Sequence, residues 1–231
     1  MRFLSFRRTL SVLLGFVFVV GLCATVGAQA ANHRNFLWEI VTTCIDLHRA
    51  DYCQHCSFPR TESPCGVGRG CNETTEVWGE SADYVAIRDA KMCGCERGFV
   101  HGLAIPRGKV TGVEDPKRPD GIWDFAWGVA REHIGEESAI ALAVNPPGGR
   151  SQDQLHVHIV RLQPDARNRF SDARSTRVGS LGGAWKAAAD KASLAGLEDY
   201  GVLVVREPEG DFLVMVDESS PEKAYTLWKC R

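Results

Sequence analysis

The fold is organised around residues 138–162, SAIALAVNPPGGRSQDQLHVHIVRL. Two apolar segments, 138–145 and 154–162, flank a run of proline, glycine and polar residues at 146–153. Apolar segments of this length, bounded by proline and glycine, are typical of β-strands. The stretch therefore predicts two strands joined by a loop, and the first strand is apolar enough to be buried.

The segments on either side have strand-like or helix-like patterns. Strands are predicted at 82–90, 99–108, 200–205 and 212–219, and the last two form a hairpin that turns at 208–210. Helices are predicted at 33–48, 122–134 and 183–197, and residues 164–179 begin like a further helix. Together these elements predict an α+β domain, in which helices pack against a mostly antiparallel sheet.

Length and composition favour a single globular domain over residues 31–231. The chain has 231 residues, of which 44% are hydrophobic and 24% are charged, and this is enough for one sizeable core. Its formal net charge is −2, and it has no basic stripe. Binding to a phosphate backbone depends on clustered basic residues, so the composition argues against nucleic acid as the main partner.

Residues 1–30 have the composition of an export signal. Arg2, Arg7 and Arg8 precede an apolar run at 10–28. This run of 19 residues exceeds the usual core of a cleaved signal and reaches the length that can span a bilayer. The sequence therefore predicts either a signal peptide, which would leave a periplasmic protein, or an N-terminal anchor in the inner membrane with the domain facing the periplasm.

Eight cysteines follow this segment, and an even number in an exported chain is typical of disulfides. They are Cys44, Cys53, Cys56, Cys65, Cys71, Cys93, Cys95 and Cys230. Most of them fall in a Cys-rich segment at 44–95, which begins with a long loop that has little apolar sequence to order it without cross-links. We therefore predict a disulfide-rich N-terminal region. Structural zinc is the alternative, because Cys53 and Cys56 have metal-ligand spacing.

Two histidines on the second strand of the opening stretch are the candidate functional residues. Side chains alternate along a strand, so the apolar residues point into the core and Gln154, His156 and His158 share the polar face. That face adjoins the loop at 146–153. Glycine amides and neutral hydrogen-bonding groups there can surround a phosphate, and those groups belong to Asn145, Ser151 and Gln152.

The spacing of the two histidines leaves other interpretations open. Histidines at positions i and i+2 also occur on strand faces that are simply solvated. The same spacing suits zinc, with a third ligand supplied from elsewhere in the chain. Catalysis, metal binding and a plain polar face are therefore all compatible with the pattern.

The run AVNPPGGRSQDQLHVHI at 143–159 resembles the signature of the histidine-triad (HIT) superfamily. In that pattern a strand ends in Asn, a Gly-Gly loop with a Ser follows, and the next strand alternates His with apolar residues. The segment VHGLAIPRGKV at 100–110 is similar to the superfamily's first sheet segment. Within the superfamily the chain most resembles bacterial CDP-diacylglycerol pyrophosphatases, which share an N-terminal apolar segment, an early cysteine pair matching Cys44 and Cys65, and an aromatic helix like WDFAW. The resemblance covers roughly residues 36–230.

This resemblance implies hydrolysis of CDP-diacylglycerol to phosphatidate and CMP at a membrane surface, with no metal or cofactor. His156 matches the family's nucleophile, and His158 matches the histidine that contacts the phosphate and assists the leaving oxygen. The residues that the resemblance and the loop place around the phosphate are Asn145, Ser151, Gln152, Gln154 and His101. Gln154 departs from the pattern because it stands where the first histidine of the triad is expected, although an amide can also support its neighbours by hydrogen bonding.

Other features admit two readings each. Trp123, Phe125 and Trp127 either belong to the core or form part of a groove for a lipid, and Arg107 and Lys109 are either surface charges or diphosphate ligands. Two other functions also fit the sequence: a HIT-like hydrolase or transferase that acts on another nucleotide, and an exported protein that binds nucleotide or lipid without catalysis.

Overall fold

The two strands that flank the 146–153 loop pair antiparallel in the computed structural model, which describes residues 34–45, 76–92 and 94–230. They are Ile140–Val144 (β4) and Val157–Arg161 (β5), at the centre of an eight-stranded sheet. The other strands are Val77–Glu80 (β1), Tyr84–Arg88 (β2), His101–Pro106 (β3), Ser175–Val178 (β6), Gly201–Arg206 (β7) and Phe212–Asp217 (β8). Their order is β1-β2-β3-β5-β4-β7-β8-β6, and every neighbouring pair is antiparallel. The predicted α+β class is confirmed.

The helices of the described chain mostly follow the predicted positions. The α-helices are Phe36–Glu39 (α1), Ile122–Ile134 (α2), Ala184–Leu194 (α3) and Pro221–Tyr225 (α4). A π-helix, Ile40–Cys44, continues α1, so the first helix is shorter and wider than predicted. α2 has the predicted bounds and ends where Gly135 adopts a φ of 78°, a left-handed conformation that glycine tolerates without strain.

The main core lies between one face of the sheet and the helices α2 and α3. Trp123 of α2 is fully buried there, and Trp127 is 5% exposed. Val157 and Ile159 of β5 belong to the same cluster, as strand alternation predicts. The reading of Trp123 and Trp127 as part of a lipid groove is therefore wrong, because both side chains are used by the core.

The opposite face of the sheet carries two smaller apolar clusters, and the histidines of the strands lie between them. One cluster joins the segment 36–45 to β2 and β3, and the other covers β4, β7 and β8. Leu103 of the first cluster is the cross-strand neighbour of His158, and Val160 of the second is the neighbour of His101. The two imidazoles therefore occupy the gap on this face.

Three elements were not predicted from the sequence: the strands β1 and β6 and the helix α4. The segment 164–179 forms a short 3₁₀ turn, Ala166–Arg169, and then β6, so the helix expected there is wrong. β1 and β6 are four-residue edge strands whose side chains are mostly half-buried or exposed. They lack the apolar pattern by which an inner strand is identified.

A disulfide in the described part of the chain joins Cys95, between β2 and β3, to Cys230, after α4. The side chains of the other six cysteines, and with them the remaining predicted cross-links and the zinc alternative, lie outside the described residues, as does the predicted signal or anchor at 1–30. Among the described helices, none has the length and apolarity needed to cross a bilayer.

Candidate active site

Four polar side chains meet on the sheet face between the two small clusters. Asp89 directly follows β2, His101 begins β3, Asn145 directly follows β4 and His158 lies in β5. The Asp89 N–H donates to the His101 carbonyl at 2.8 Å, and Ala143, two residues before Asn145, lies opposite His158. Because side chains alternate along each strand, this register brings all four to one face.

His156 lies just before β5, and the backbone fixes its orientation. Its Nδ1 is 2.7 Å from the carbonyl oxygen of Gln154. A carbonyl can only accept, so Nδ1 carries the proton and Nε2 keeps its lone pair. The His156 and His158 rings are nearly perpendicular, with their centroids 4.8 Å apart. The chain thus presents a neutral imidazole in one defined tautomer.

The side chain of Gln154 ties the start of β5 to the end of β3. Its Nε2 donates to the carbonyls of Pro106 and Gly108 at 3.0 and 2.8 Å, and its Oε1 accepts from the N–H of Val110 at 3.4 Å. The side chain is fully occupied by these backbone partners and is buried. It therefore holds the carbonyl that orients His156.

Both ring nitrogens of His158 have protein partners. Nδ1 lies 3.1 Å from Nε2 of His101, and Nε2 lies 3.2 Å from Nδ2 of Asn145. An amide Nδ2 can only donate, so Nε2 of His158 accepts and Nδ1 donates to His101. His158, Asn145 and His101 therefore form one hydrogen-bonded chain behind His156.

Glu222 lies at the back of this chain and was not singled out from the sequence. Its Oε2 accepts from Asn145 Nδ2 at 2.7 Å, and its Oε1 accepts from Lys91 Nζ at 2.6 Å. The same carboxylate lies 3.3 Å from His101 Nε2 and 3.4 Å from His158 Nε2. Its side chain is 2% exposed, so this is a buried carboxylate that accepts hydrogen bonds from two donors, Asn145 and Lys91.

The position of Glu222 follows from how α4 begins. Ser220 caps the helix by accepting from the N–H of Lys223, Pro221 is its first residue, and Ser220 Oγ donates to Asn145 Oδ1 at 2.6 Å. The Ser-Pro pair is a signal that could have located α4. Nothing in the sequence relates position 222 to position 145, so only the fold brings them together.

A cavity of about 170 Å³ opens beside the two histidines of β5. Its polar wall includes Asp89, Lys91, Ser151, Gln152, His156 and His158, and its apolar wall includes Phe36, Leu37, Ile40, Ile87 and Leu103. Gln152 Oε1 accepts from the N–H of Leu37 at 3.2 Å, and Arg34 pairs with Asp153 at 2.6 Å. The first helical segment is thereby docked on the loop that leads to His156, and it closes one side of the cavity.

The predicted site residues thus fall into two groups. His156, His158, Ser151 and Gln152 line the cavity, whereas His101, Asn145 and Gln154 contact those residues from behind.

The two basic residues considered as diphosphate ligands make their contacts outside the cavity. Arg107 donates to the carbonyls of Ser81 and Ile45, and Lys109 lies over the Trp38 ring at 5.8 Å. Neither side chain is among the residues that line the cavity.

Burial keeps the imidazoles of the site uncharged. It lowers the pKa of His101 to about 3, lowers the pKa of His158 well below its usual value, and lowers the pKa of His156. For His158 the neighbouring imidazoles act in the same direction. Burial raises the pKa of the Asp89 carboxyl. The histidines of the site are therefore neutral near pH 7.

These shifts predict that the free energy of unfolding falls as the pH drops below 6.5. In that range an unfolded imidazole binds a proton and buried His101 does not, so His101 contributes a loss that approaches about 1.4 kcal/mol per pH unit, and the lowered pKa values of His156 and His158 act in the same direction. The raised pKa of Asp89 acts in the opposite direction and offsets part of the loss.

Denaturant unfolding at a series of pH values measures this effect, with an expected loss of about 2 kcal/mol or more between pH 6.5 and 5. A His101→Asn variant should lose stability less steeply over the same range. Stability that stays constant from pH 6.5 to 5 would contradict the neutral state of the three imidazoles.

Three residues of the site also have the chemistry of metal ligands. Asp89, His101 and His158 each offer an atom within 4.8 Å of the others, a set that could hold a divalent ion. Lys91 Nζ, 4.0 Å from Asp89 Oδ2, supplies a positive charge at the same place. The residues of this face can therefore be read either as a metal-binding set or as a hydrogen-bonded support for His156.

Comparison with known families gives one match that covers most of the chain. The model of a family described as CDP-diacylglycerol pyrophosphatase matches residues 32–226. The matched range includes all eight strands, the loop at 146–153 and Glu222.

Proposed function

Because the chain belongs to the CDP-diacylglycerol pyrophosphatase family, we propose that His156 is the nucleophile with which it hydrolyses CDP-diacylglycerol to phosphatidate and CMP. The observation that carries this proposal is the 2.7 Å contact between Nδ1 of His156 and the carbonyl of Gln154. Because Nδ1 carries the proton, Nε2 is the nucleophilic nitrogen of the His156 ring, and this ring lines the cavity.

The reaction would proceed in two displacements at the CMP-side phosphorus. In the first, Nε2 of His156 forms a bond to phosphorus while the bond from phosphorus to the phosphatidate oxygen breaks. In the second, water attacks the same phosphorus, the P–N bond breaks and a proton is released to solvent. The products are CMP and phosphatidate, and the Gln154 carbonyl stabilises the imidazolium formed between the two steps.

The groups around His156 support this assignment. Ser151 and Gln152 line the cavity and can donate to phosphate oxygens. His158 lies beside the attacking ring, and its protein partners His101 and Asn145 hold it there. These contacts are compatible with the phosphate-site roles that the HIT-like pattern implies for these residues.

The lipid part of the substrate has an apolar wall to lie against. Phe36, Leu37 and Ile40 of the first helical segment face Ile87 and Leu103 across the cavity. We assign the diacylglycerol part of the substrate to this apolar wall, because the wall and His156 border the same cavity. The reaction then takes place at a membrane surface, to which the predicted export segment at 1–30 would deliver or anchor the domain.

The test of the nucleophile is to trap the CMP-enzyme intermediate. Enzyme in detergent micelles is mixed with CDP-diacylglycerol that carries radioactive phosphorus on the CMP side and is quenched in alkali within milliseconds. We expect label on the protein, stable to alkali and labile to acid as P–N bonds are. Exchange of labelled phosphatidate into CDP-diacylglycerol, which requires the same intermediate, is the second readout.

The same experiment with a chelator separates this mechanism from a metal-dependent one. If Asp89, His101 and His158 hold an ion that activates water, the chelator stops CMP release and neither labelled protein nor exchange is seen. Label and exchange that persist in the presence of the chelator would support the histidine nucleophile.

A further inference from the structure

We propose that Lys91 binds the substrate's diphosphate, with its ammonium group positioned by Glu222 and Asp89. This inference deepens the proposed function and rests on it only in taking a nucleoside diphosphate group to lie in the cavity. Lys91 belongs to a 3₁₀ turn, Ala90–Met92, between β2 and β3, and it was not a candidate in the sequence.

The ammonium of Lys91 lies between the buried end of the site and the cavity. Nζ is 2.6 Å from Glu222 Oε1 and 4.0 Å from Asp89 Oδ2. The side chain is 38% exposed and lines the cavity with His156 and His158. An ammonium has three N–H groups, so the contact with Glu222 leaves donors for a ligand.

In the described part of the chain, two further cations near the cavity, Arg88 and Arg150, are also paired with a carboxylate, but only 10% of each side chain is exposed. Arg88 lines the cavity but pairs with Glu76 at 2.9 Å, and its side chain is only 10% exposed. Arg150 forms two contacts with Glu114, at 2.6 and 2.8 Å. A diphosphate in the cavity therefore meets its positive charge at Lys91.

The surrounding structure limits where this charge can move. The Lys91 ammonium lies 5.7 Å from the centroid of the Trp228 ring, and the backbone oxygen of Lys91 is 3.1 Å from Sγ of Cys95. The disulfide between Cys95 and Cys230 holds the turn against the C-terminal segment that carries Trp228. A lysine that is held in this way loses less side-chain entropy when it binds a phosphate.

The test is equilibrium binding of CDP and CMP to the full-length protein in detergent, with His156→Ala as the common background so that neither ligand is turned over. CDP differs from CMP by the second phosphate, so the difference between their affinities reports the contact to the diphosphate. The variants compared are Lys91→Gln, Lys91→Arg and the control Lys223→Gln. Lys223 also lies 5.7 Å from the Trp228 ring but does not line the cavity.

Lys91→Gln should weaken CDP binding about tenfold or more and remove most of its advantage over CMP. Lys91→Arg, which keeps the charge, should retain most of the affinity, and Lys223→Gln should change it less than twofold. Thermal melting checks that each variant is folded. CDP binding that is unchanged in Lys91→Gln, or equally weakened in Lys223→Gln, overturns the proposal.

These outcomes do not depend on the identity of the nucleophile. If no CMP-enzyme intermediate forms but Lys91→Gln loses CDP affinity, the proposal for Lys91 stands and that for His156 fails. If the intermediate forms and Lys91→Gln binds CDP normally, the proposal for His156 stands and that for Lys91 fails.

Discussion

Replacing His156 with alanine is expected to lower the rate of CMP release from CDP-diacylglycerol about 10⁴-fold or more. The reason is that the proposed nucleophile is lost and, among the described residues, neither of the other two imidazoles of the site is placed to replace it. Both nitrogens of His158 are engaged by His101 and Asn145, and Nε2 of His101 faces carboxylates. Steady-state CMP release and the protein-bound label should disappear together.

The fold should survive this substitution. His156 makes one side-chain hydrogen bond in the described structure, to the carbonyl of Gln154, and its ring borders the cavity. The matched control is His133→Ala, because burial also lowers the pKa of His133, but its ring stacks on Trp78 at 4.0 Å, outside the cavity. A His156→Asn variant keeps a polar side chain at the site and should be equally inactive.

Substantial turnover by a folded His156→Ala protein would remove the histidine nucleophile from the mechanism. The set formed by Asp89, His101 and His158 would then be the next candidate, as ligands of an ion that activates water. Chelator sensitivity of the variant would decide that question.

The sequence predicts the centre of this fold better than its edges. β4 and β5 were identified because both are apolar and are bounded by a proline and glycine loop, and α2 because its apolar residues recur at helical spacing. β1 and β6 are short edge strands with mostly exposed or half-buried side chains. Their pairing is decided by the neighbouring strand, which leaves no periodic pattern in their own residues.

The candidate site shows the same limit. Its local part, from Asn145 to His158, is a single run of sequence with a recognisable order of residue types, so its members could be named in advance. Asp89, Lys91 and Glu222 come from segments that are distant in sequence and join the site through β-sheet register and the docking of α4. A lone acidic or basic residue in a loop has no pattern that distinguishes it from a solvated charge.

The assembled charges explain how a buried site can accept a diphosphate. Removing three imidazoles from water keeps them neutral, which suits a nucleophile but provides no positive charge. Lys91 can provide that charge because Glu222 and Asp89 compensate it while the site is empty. The buried carboxylate of Glu222 and the partly exposed ammonium of Lys91 therefore form one ion pair. Neither residue belongs to the sequence run at 143–159.

Replacing His158 with alanine is expected to lower kcat about 10²- to 10³-fold while KM changes only a few-fold. The His158 ring lies beside the ring of His156, the proposed nucleophile, and is held there by Asn145 and His101, so we expect its loss to affect the transition state more than substrate binding. Kinetics in detergent micelles give kcat and KM, and CDP binding provides an independent check on the ground state.

The main alternative to this prediction is that His158 only fills space. In that case His158→Leu, which replaces the buried imidazole with an apolar side chain of similar size, would restore activity, whereas a role at the phosphate predicts that this variant is as slow as His158→Ala. A rise in KM with kcat preserved would assign His158 to substrate binding, since a contact made equally in the ground state and the transition state changes KM alone. Only a loss confined to kcat, with CDP binding intact, agrees with a histidine that acts while the phosphatidate oxygen leaves.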